Sequence, residues 1–415
     1  MGSKKIIVLT STFPRWKNDT DPPFVYELSR RLALDLDVHV LAPNYPGALG
    51  SEILDGLTVY RFRYFIKRFE KLAGSSGILP TIRKNKLYLL LVPFFVAAEF
   101  FALWRLVRQI KPDVIHAHWL VPQGFVAAMA KKITGTPYVV TAHGGDVFGL
   151  QGGLFALFKR FSLKNADKIT VVSSVIKEVV TGTSSSIVEP VILPMGVDSS
   201  KFALTGDDDI REKYGATGPL LLFVGRLTEK KGVRYLLEAM PEVIKKVPAV
   251  KLLIVGSGEE EEDLKRLSAS LELEPNVVFT GSIANRDLPR FYGAADIFIG
   301  PSIHARDGDT EGFGLTFVEA GMSGCILIGS RVGGIPDIIK DGKTGFLVEE
   351  KNPAAIAAKI LEIVDQKDDW PEIRKRNRLE FVKNFSLDVI AAKYADLFSE
   401  NWAGPSKKGK AAFSR

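Results

Sequence analysis

Apolar runs of four to six residues recur along this chain, and stretches of helical period separate many of them. Lys5–Thr10, Asp37–Ala42, Asp113–Ala117, Pro137–Ala142 and Lys168–Val172 make up a first set. Pro219–Val224, Val250–Val255, Asn276–Thr280, Asp296–Ile299 and Cys325–Ile328 make up a second. Runs this continuously apolar predict strands covered on both faces, as parallel strands are. Segments such as Arg234–Val247 and Glu259–Leu271 carry helical spacing between them. Strand alternating with helix predicts an α/β fold of doubly wound parallel sheets. Ten strands over 415 residues divide better between two sheets than into one, because a single core stops growing near about 250–300 residues.

One short element occurs in both halves. Asn165-Ala166-Asp167 leads into a strand ending Val172-Ser173-Ser174, and Ala294-Ala295-Asp296 into one ending Gly300-Pro301-Ser302. Pro194-Met195-Gly196-Val197-Asp198, followed by a polar run with Asp207-Asp208-Asp209, reads as the linker. The expected division is therefore residues 1–196 and 197–385, then a last helix over 386–402 and a disordered basic tail over 403–415.

A single cysteine, Cys325, excludes an internal disulfide and fits a reducing, cytoplasmic compartment. The apolar run Ile6–Leu9 is far too short for a signal peptide; it reads as a first buried strand. A net charge of +7 leaves phosphorylated substrates, anionic lipid and nucleic acid as partners. No helix-turn-helix, zinc or RNA-sheet signature accompanies that charge, so no nucleic acid is expected. The excess is concentrated in Arg61, Arg63, Lys67, Arg68, Lys71, Arg83, Lys84 and Lys86, among Phe62, Tyr64, Phe65 and Phe69. Leu87–Trp104 follows, nearly apolar and of membrane-span length, interrupted by Pro93 and Glu99. A carboxylate argues against a span, leaving a helix lying in a membrane surface or an ordinary core helix. The region 61–104 is thus a candidate contact with an anionic membrane surface; otherwise it is a solvated face with a few exposed rings.

Chemistry concentrates in the second half. In Glu311-Gly312-Phe313-Gly314-Leu315-Thr316-Phe317-Val318-Glu319-Ala320 two carboxylates stand eight residues apart across a glycine-rich helix start. Gly312 and Gly314 let backbone approach a ligand, and the free amides over Gly312–Leu315 favour an anion. A nucleotide diphosphate sugar fits this layout, with phosphates on the amides, ribose on one carboxylate and sugar hydroxyls on the other. The plainer alternative is a charge complementing the helix dipole plus a surface glutamate. Val224-Gly225-Arg226-Leu227-Thr228-Glu229-Lys230-Lys231-Gly232 directly follows a buried strand, where open α/β sheets bind ligands. Arg226 and Lys231 would meet a diphosphate there. Val255-Gly256-Ser257-Gly258 supplies a glycine turn at the next strand end.

Gly225-Arg226…Lys231-Gly232, the Glu311…Glu319 pair and Gly333-Gly334-Ile335-Pro336-Asp337 together resemble the GT-B retaining glycosyltransferases of family 4. His116-Ala117-His118-Trp119…Pro122-Gln123-Gly124 and Ala142-His143-Gly144-Gly145-Asp146 resemble motifs of that family's first half. With Asp307-Gly308-Asp309-Thr310, they look most like members that build exopolysaccharide or lipid-linked saccharides. The resemblance implies two Rossmann-like domains facing across a cleft, the first binding the acceptor and the second the donor, with the last helix crossing back onto the first. It implies that Arg226 and Lys231 bind the diphosphate and stabilise the leaving group, that Glu319 holds the ribose and that Glu311 contacts the donor sugar. Ile283 would sit where backbone groups cradle the base. Gly225, Gly256 and the stretch Gly312, Phe313, Gly314 and Leu315 would line the donor. His143, with His118 and Asp146 nearby, would lie beside the transferred sugar; the bland reading of His143 is a satisfied strand-end histidine. The implied reaction moves a hexosyl unit from a UDP- or GDP-linked donor, UDP preferred, to a saccharide or lipid-linked acceptor, with front-face attack and retained configuration. No cofactor or metal is implied. Many relatives carry a glycine pair in the loop after the first strand; here Ser11–Phe24 has none, so that loop is expected to face the acceptor.

Asp307-Gly308-Asp309 also resembles the two-aspartate metal motif of transferases of a different fold, and His116, His118 and His143 offer a zinc triad on paper; neither is expected to bind metal. The rival readings are a sugar-nucleotide epimerase, which would need no acceptor, a phosphorylase, which would need phosphate, and a sugar-nucleotide-binding subunit without turnover.

Overall fold

A computed structural model describes residues 3–16, 19, 24–73, 77–149, 152–183, 187–202 and 207–399; the expected tail at 403–415 lies outside the described residues. All ten predicted strands form. The first sheet contains β1 (Lys5–Leu9), β2 (Asp37–Pro43), β3 (Ser51–Leu54), β4 (Leu57–Phe62), β5 (Val114–His118), β6 (Tyr138–Ala142), β7 (Lys168–Val171) and β8 (Val191–Ile192). Its order is β3-β4-β2-β1-β5-β6-β7-β8, parallel except that β3 runs against β4. The second holds β9 (Leu220–Val224), β10 (Lys251–Val255), β11 (Val277–Gly281), β12 (Ile297–Gly300), β13 (Ile326–Ser330) and β14 (Phe346–Val348). Its order is β11-β10-β9-β12-β13-β14. Strand order reverses between β1 and β5 and between β9 and β12, and ligands of such sheets bind at the carboxyl ends beside the reversal.

The repeated Asn/Ala-Ala-Asp element has a backbone purpose. Asp167 accepts the N–H of Tyr138 at 2.9 Å, and Asp296 accepts that of Leu220 at 2.8 Å. Asp113 does the same for Lys5 at 2.7 Å. Each aspartate therefore ties the first free amide of one strand to the loop entering another. Four strands were not foreseen. β3 and β4 are a hairpin turned by Asp55-Gly56, both at positive φ (47° and 88°), which is the geometry an Asp-Gly pair favours. β8 and β14 have only two and three residues, too short to show a period.

The hairpin corrects the basic cluster. Arg61, Phe62 and Tyr64 are buried, and Arg61 donates to the Pro14 carbonyl at 2.6 Å and to Glu52 at 2.9 Å. These three residues belong to the core and not to a surface patch. The last helix, Leu387–Ser399, does cross back: Tyr394 donates to the Leu193 carbonyl at 3.2 Å, and its ring lies 5.3 Å from that of His116. Lys4 donates to the carbonyls of Phe398 and Ser399.

Lys86–Leu91 is a short 3-10 turn that runs into a helix over Val92–Ile110. By length and composition alone, Lys86–Ile110 is apolar enough to cross a membrane, with mean hydropathy 2.0 over an 18-residue window within it. One face, Phe95, Glu99, Leu103, Leu106 and Val107, packs on the domain. The other exposes Leu87, Leu90, Phe94 and Phe101. Glu99 is thus a core residue. Gln123 donates to its Oε1 at 3.0 Å, while Glu99 Oε2 and Gln123 Oε1 have no donor among the described residues. Burial pushes the Glu99 carboxyl up to about 8, against the lowering effect of the Gln123 amide, and the added proton is the donor this pair lacks. The group is then protonated when folded and ionised when unfolded between roughly pH 4.5 and 8, so stability falls as pH rises through that window. The full effect is at most about 4–5 kcal/mol. Glu99→Gln should gain in Tm relative to wild type as pH goes from about 5 to 8. A difference constant across that range would mean that the carboxyl titrates normally.

Candidate active site between the two sheets

The cationic element follows β9. Gly225 N–H bonds to the Val255 carbonyl and Leu227 N–H to that of Ser257, both at 3.0 Å, so this loop lies along the end of β10. A Cβ on Gly256 would stand 1.9 Å from the Gly225 carbonyl oxygen; the two glycines are where these strand ends touch. The turn Glu229–Lys231 closes at Gly232, with φ 62° and only 2.0 Å between a hypothetical Cβ and the Pro301 carbonyl oxygen. This turn carries Lys231 to Glu311 Oε2, where they form a tight ion pair. Lys230 binds Asp309 at 3.1 Å. Burial alone would raise the Glu311 carboxyl, but Lys231, Lys230 and Arg226 hold it below its usual value. Arg226 and Lys231, on one loop, therefore act with the sequence-distant Glu311 as one charged cluster.

Gly314, at φ 102°, opens the helix Leu315–Met322. Gly333 and Gly334 support the loop before it: a Cβ on Gly333 would stand 2.1 Å from the Glu311 carbonyl oxygen, which accepts the Gly334 N–H at 2.9 Å. Gly312 faces the other domain, where a Cβ would come within 2.6 Å of the His143 carbonyl oxygen. Gly144 is equally tight, since a Cβ there would stand 2.9 Å from Gly312 Cα. The helix tip thus meets the end of β6 across the cleft. Asp337 bridges the domains too, accepting from the Ser174 N–H at 2.6 Å and its hydroxyl at 2.8 Å. Phe313 is buried against Phe385, so it offers backbone and not its ring. Leu315 and Ile283 are half-buried.

Glu319 lies on the same helix, largely enclosed. It accepts from the Tyr292 hydroxyl at 2.7 Å, and burial lifts its carboxyl to about 7. Sequence reasoning missed Tyr292, because a tyrosine inside a short helix carries no motif.

His143 ends β6. Its Nε2 meets His118 Nδ1 at 3.0 Å, and its ring packs against Trp119 at 5.0 Å and Phe24 at 5.2 Å. Burial depresses its pKa to about 3, so it stays neutral. Trp119 has φ 75°, a conformation costing a bulky residue about 1–3 kcal/mol, and it places the indole against His143. Phe24 was not foreseen, and Trp119 stands in the His116–Trp119 motif without having been given a role. Two expected substrate contacts are corrected. His118 is only 1% exposed, behind His143. Asp146 is buried, accepting the N–H groups of His143, Gly144 and Leu120; it shapes the loop from beneath.

His116 Nε2 is engaged by Thr141 at 2.8 Å, and Asp307 by Arg83 at 3.0 Å. Among the described residues no three His, Cys, Asp or Glu side chains are grouped to hold a metal ion. In the loop after β1, Arg15 pairs with Asp19 at 2.6 Å and lies over the rings of Trp16 and Tyr45.

Two doubly wound sheets facing across a cleft, with paired cations and a helix tip on one side and a histidine on the other, define the GT-B class of glycosyltransferase. The comparisons agree. Residues 207–380 match the family described as glycosyl transferases group 1, and residues 23–201 match glycosyltransferase family 4. A GDP-mannose-dependent alpha-(1-6)-phosphatidylinositol monomannoside mannosyltransferase of Mycolicibacterium smegmatis is 30% identical over 71% of this chain and 79% of its own length. A glycosyltransferase of Methanocaldococcus jannaschii is 31% identical over 69% of this chain and 75% of its own. Among solved structures, sucrose-phosphate synthase from Thermosynechococcus elongatus superposes with TM-score 0.77, at 21% identity, over 95% of this chain and 98% of that one. Anabaena HepE in complex with UDP-glucose gives 0.72 at 18% identity, over 95% and 99%. The chain belongs to glycosyltransferase family 4 and is a glycosyltransferase.

Proposed function

We propose that this enzyme moves a hexosyl unit from a nucleotide diphosphate sugar to a saccharide or lipid-linked acceptor, with retention, without metal or other cofactor, at the cytoplasmic face of a membrane. The observation that carries the reading is the cluster of Arg226, Lys231 and the Gly314-led helix tip opposite His143. Negative charge grows on the leaving β-phosphate as the anomeric bond breaks. Cations and amides fixed in place before the bond breaks would stabilise that charge without rearranging. They supply what a metal supplies elsewhere, and Asp307 and Asp309 are already paired with Arg83 and Lys230. Glu319 holds the ribose, Glu311 the sugar hydroxyls and the segment at Ile283 the base. Front-face attack, with a donor phosphate oxygen taking the acceptor's proton, needs no carboxylate nucleophile and fits a site whose carboxylate Glu311 is engaged by Lys231. The relatives named for GDP-mannose are nearer in sequence than the structures bound to UDP, which supports GDP-mannose as the first donor to try.

The test is transfer from a panel of GDP- and UDP-hexoses in excess chelator, with the anomeric configuration of the product read by NMR. Inversion would overturn the mechanism, and inactivity reversed by a divalent ion would overturn metal independence. Turnover of donor without acceptor would favour the epimerase.

The outer face of Lys86–Ile110 supports the membrane reading. Leu87, Leu90, Phe94 and Phe101 are more than half exposed, and Phe94 continues through the ring of Phe65, at 5.4 Å, to that of Phe69. Arg63, Lys67, Arg68, Lys71, Lys84 and Lys86 are exposed around it. An apolar patch collared by cations fits anionic headgroups, at about 1 kcal/mol per basic residue near the surface. The protein should float with phosphatidylglycerol-containing vesicles, and Leu90→Glu with Phe94→Glu should abolish this. Equal flotation with neutral vesicles, or none with either, would remove the proposal.

A further inference from the structure

We propose that His118 is a positioning residue that decides which nitrogen of His143 carries the proton. His116, His118 and His143 form a column running from the core to the cleft: the rings of His116 and His118 are 4.1 Å apart, and those of His118 and His143 are 5.2 Å apart and nearly parallel. Burial disfavours charge on all three, so the contact of 3.0 Å between His118 Nδ1 and His143 Nε2 holds one proton. Which side owns it follows from the far nitrogen of His118. His118 Nε2 is buried with no partner among the described residues. Were the proton there, an N–H would be buried unpaired, an arrangement rarer in folded proteins than an unpaired acceptor. The proton therefore sits on His118 Nδ1 and is donated to His143 Nε2. A neutral imidazole that accepts through Nε2 must carry its own proton on Nδ1. His143 then presents an N–H donor as its remaining polar group. It can hold a hydroxyl oxygen of the transferred sugar and cannot act as a base through that nitrogen.

His118 touches no substrate in this account and acts through His143, whose place rests on Phe24, Trp119 and the Asp146-bound loop. Asparagine at 118 places an amide N–H close to where Nδ1 stands, whereas phenylalanine fills the space without a donor. Two-bond proton–nitrogen NMR of the full chain, labelled at histidine, reads the tautomer directly. The wild type and His118→Asn should show His143 protonated on Nδ1, and His118→Phe should lose that preference. In transfer assays His118→Phe should lower kcat about 10- to 100-fold, the loss typical when the partner that orients a metal-ligating histidine is removed. Donor KM should change little, and His118→Asn should recover most of the rate. The kinetic arm rests on the transferase reading and the spectroscopic arm does not, so an inactive protein with the expected spectrum would fault only the former. A wild-type His143 protonated on Nε2 overturns the proposal, even if the phenylalanine variant fails to fold. So does a His118→Asn variant as slow as His118→Phe.

Discussion

Lys231→Ala should lower kcat by about 100- to 1000-fold, the loss of about 2.7–4 kcal/mol typical of removing one preorganised donor from a developing charge. Lys231 is enclosed on the strand-end turn and already paired with Glu311. It therefore needs no reorganisation when a diphosphate arrives, and its contribution grows as the bond breaks. Donor KM should rise far less, since Arg226 and the helix amides still hold the ground-state phosphates. Glu311 keeps Lys230 and Arg226 in its field, so the variant should fold, which a thermal melt verifies. A kcat within about threefold of wild type would remove Lys231 from leaving-group stabilisation.

Glu319→Ala should act on binding instead. Bonds from ribose hydroxyls to a carboxylate are worth about 1.5–3 kcal/mol each. Losing even one should raise donor KM about tenfold or more, with a smaller change in kcat. The site also predicts a pH dependence. Burial places the Glu319 carboxyl at about 7, against the lowering effect of Tyr292. Above that pH the ionised form accepts from ribose; as pH falls through about 7 it takes up a proton and loses that charged acceptance. Donor KM should therefore rise on acidification through neutrality. Glu319→Gln should remove the dependence and lie near the low-pH limit. A flat wild-type profile between about pH 6 and 8 would place the ribose elsewhere.

Several of these residues were legible because backbone demands leave marks in sequence. Gly232, Gly256, Gly312 and Gly333 stand where a Cβ would strike a carbonyl oxygen, and a glycine at a strand end or helix start is visible by inspection. Lys231 and Glu311 were legible as charges beside those glycines. Tyr292 was not, because its role depends on the helix Leu288–Ala294 packing against the helix that carries Glu319. The hairpin of β3 and β4 was overlooked although Asp55-Gly56 announces it, since the basic residues around it read as surface.

From the order of its apolar runs and glycines alone, this chain determined two doubly wound sheets, the loops at their carboxyl ends and the charges those loops carry. These are local matters of side-chain period and backbone freedom. Tertiary structure alone decided which polar residues face a ligand and which support those that do. His118 and Asp146 went beneath the site, Glu99 into the core, and a row of leucines and phenylalanines outward. Burial is a property of what packs on the other side, and residues distant in sequence supply it.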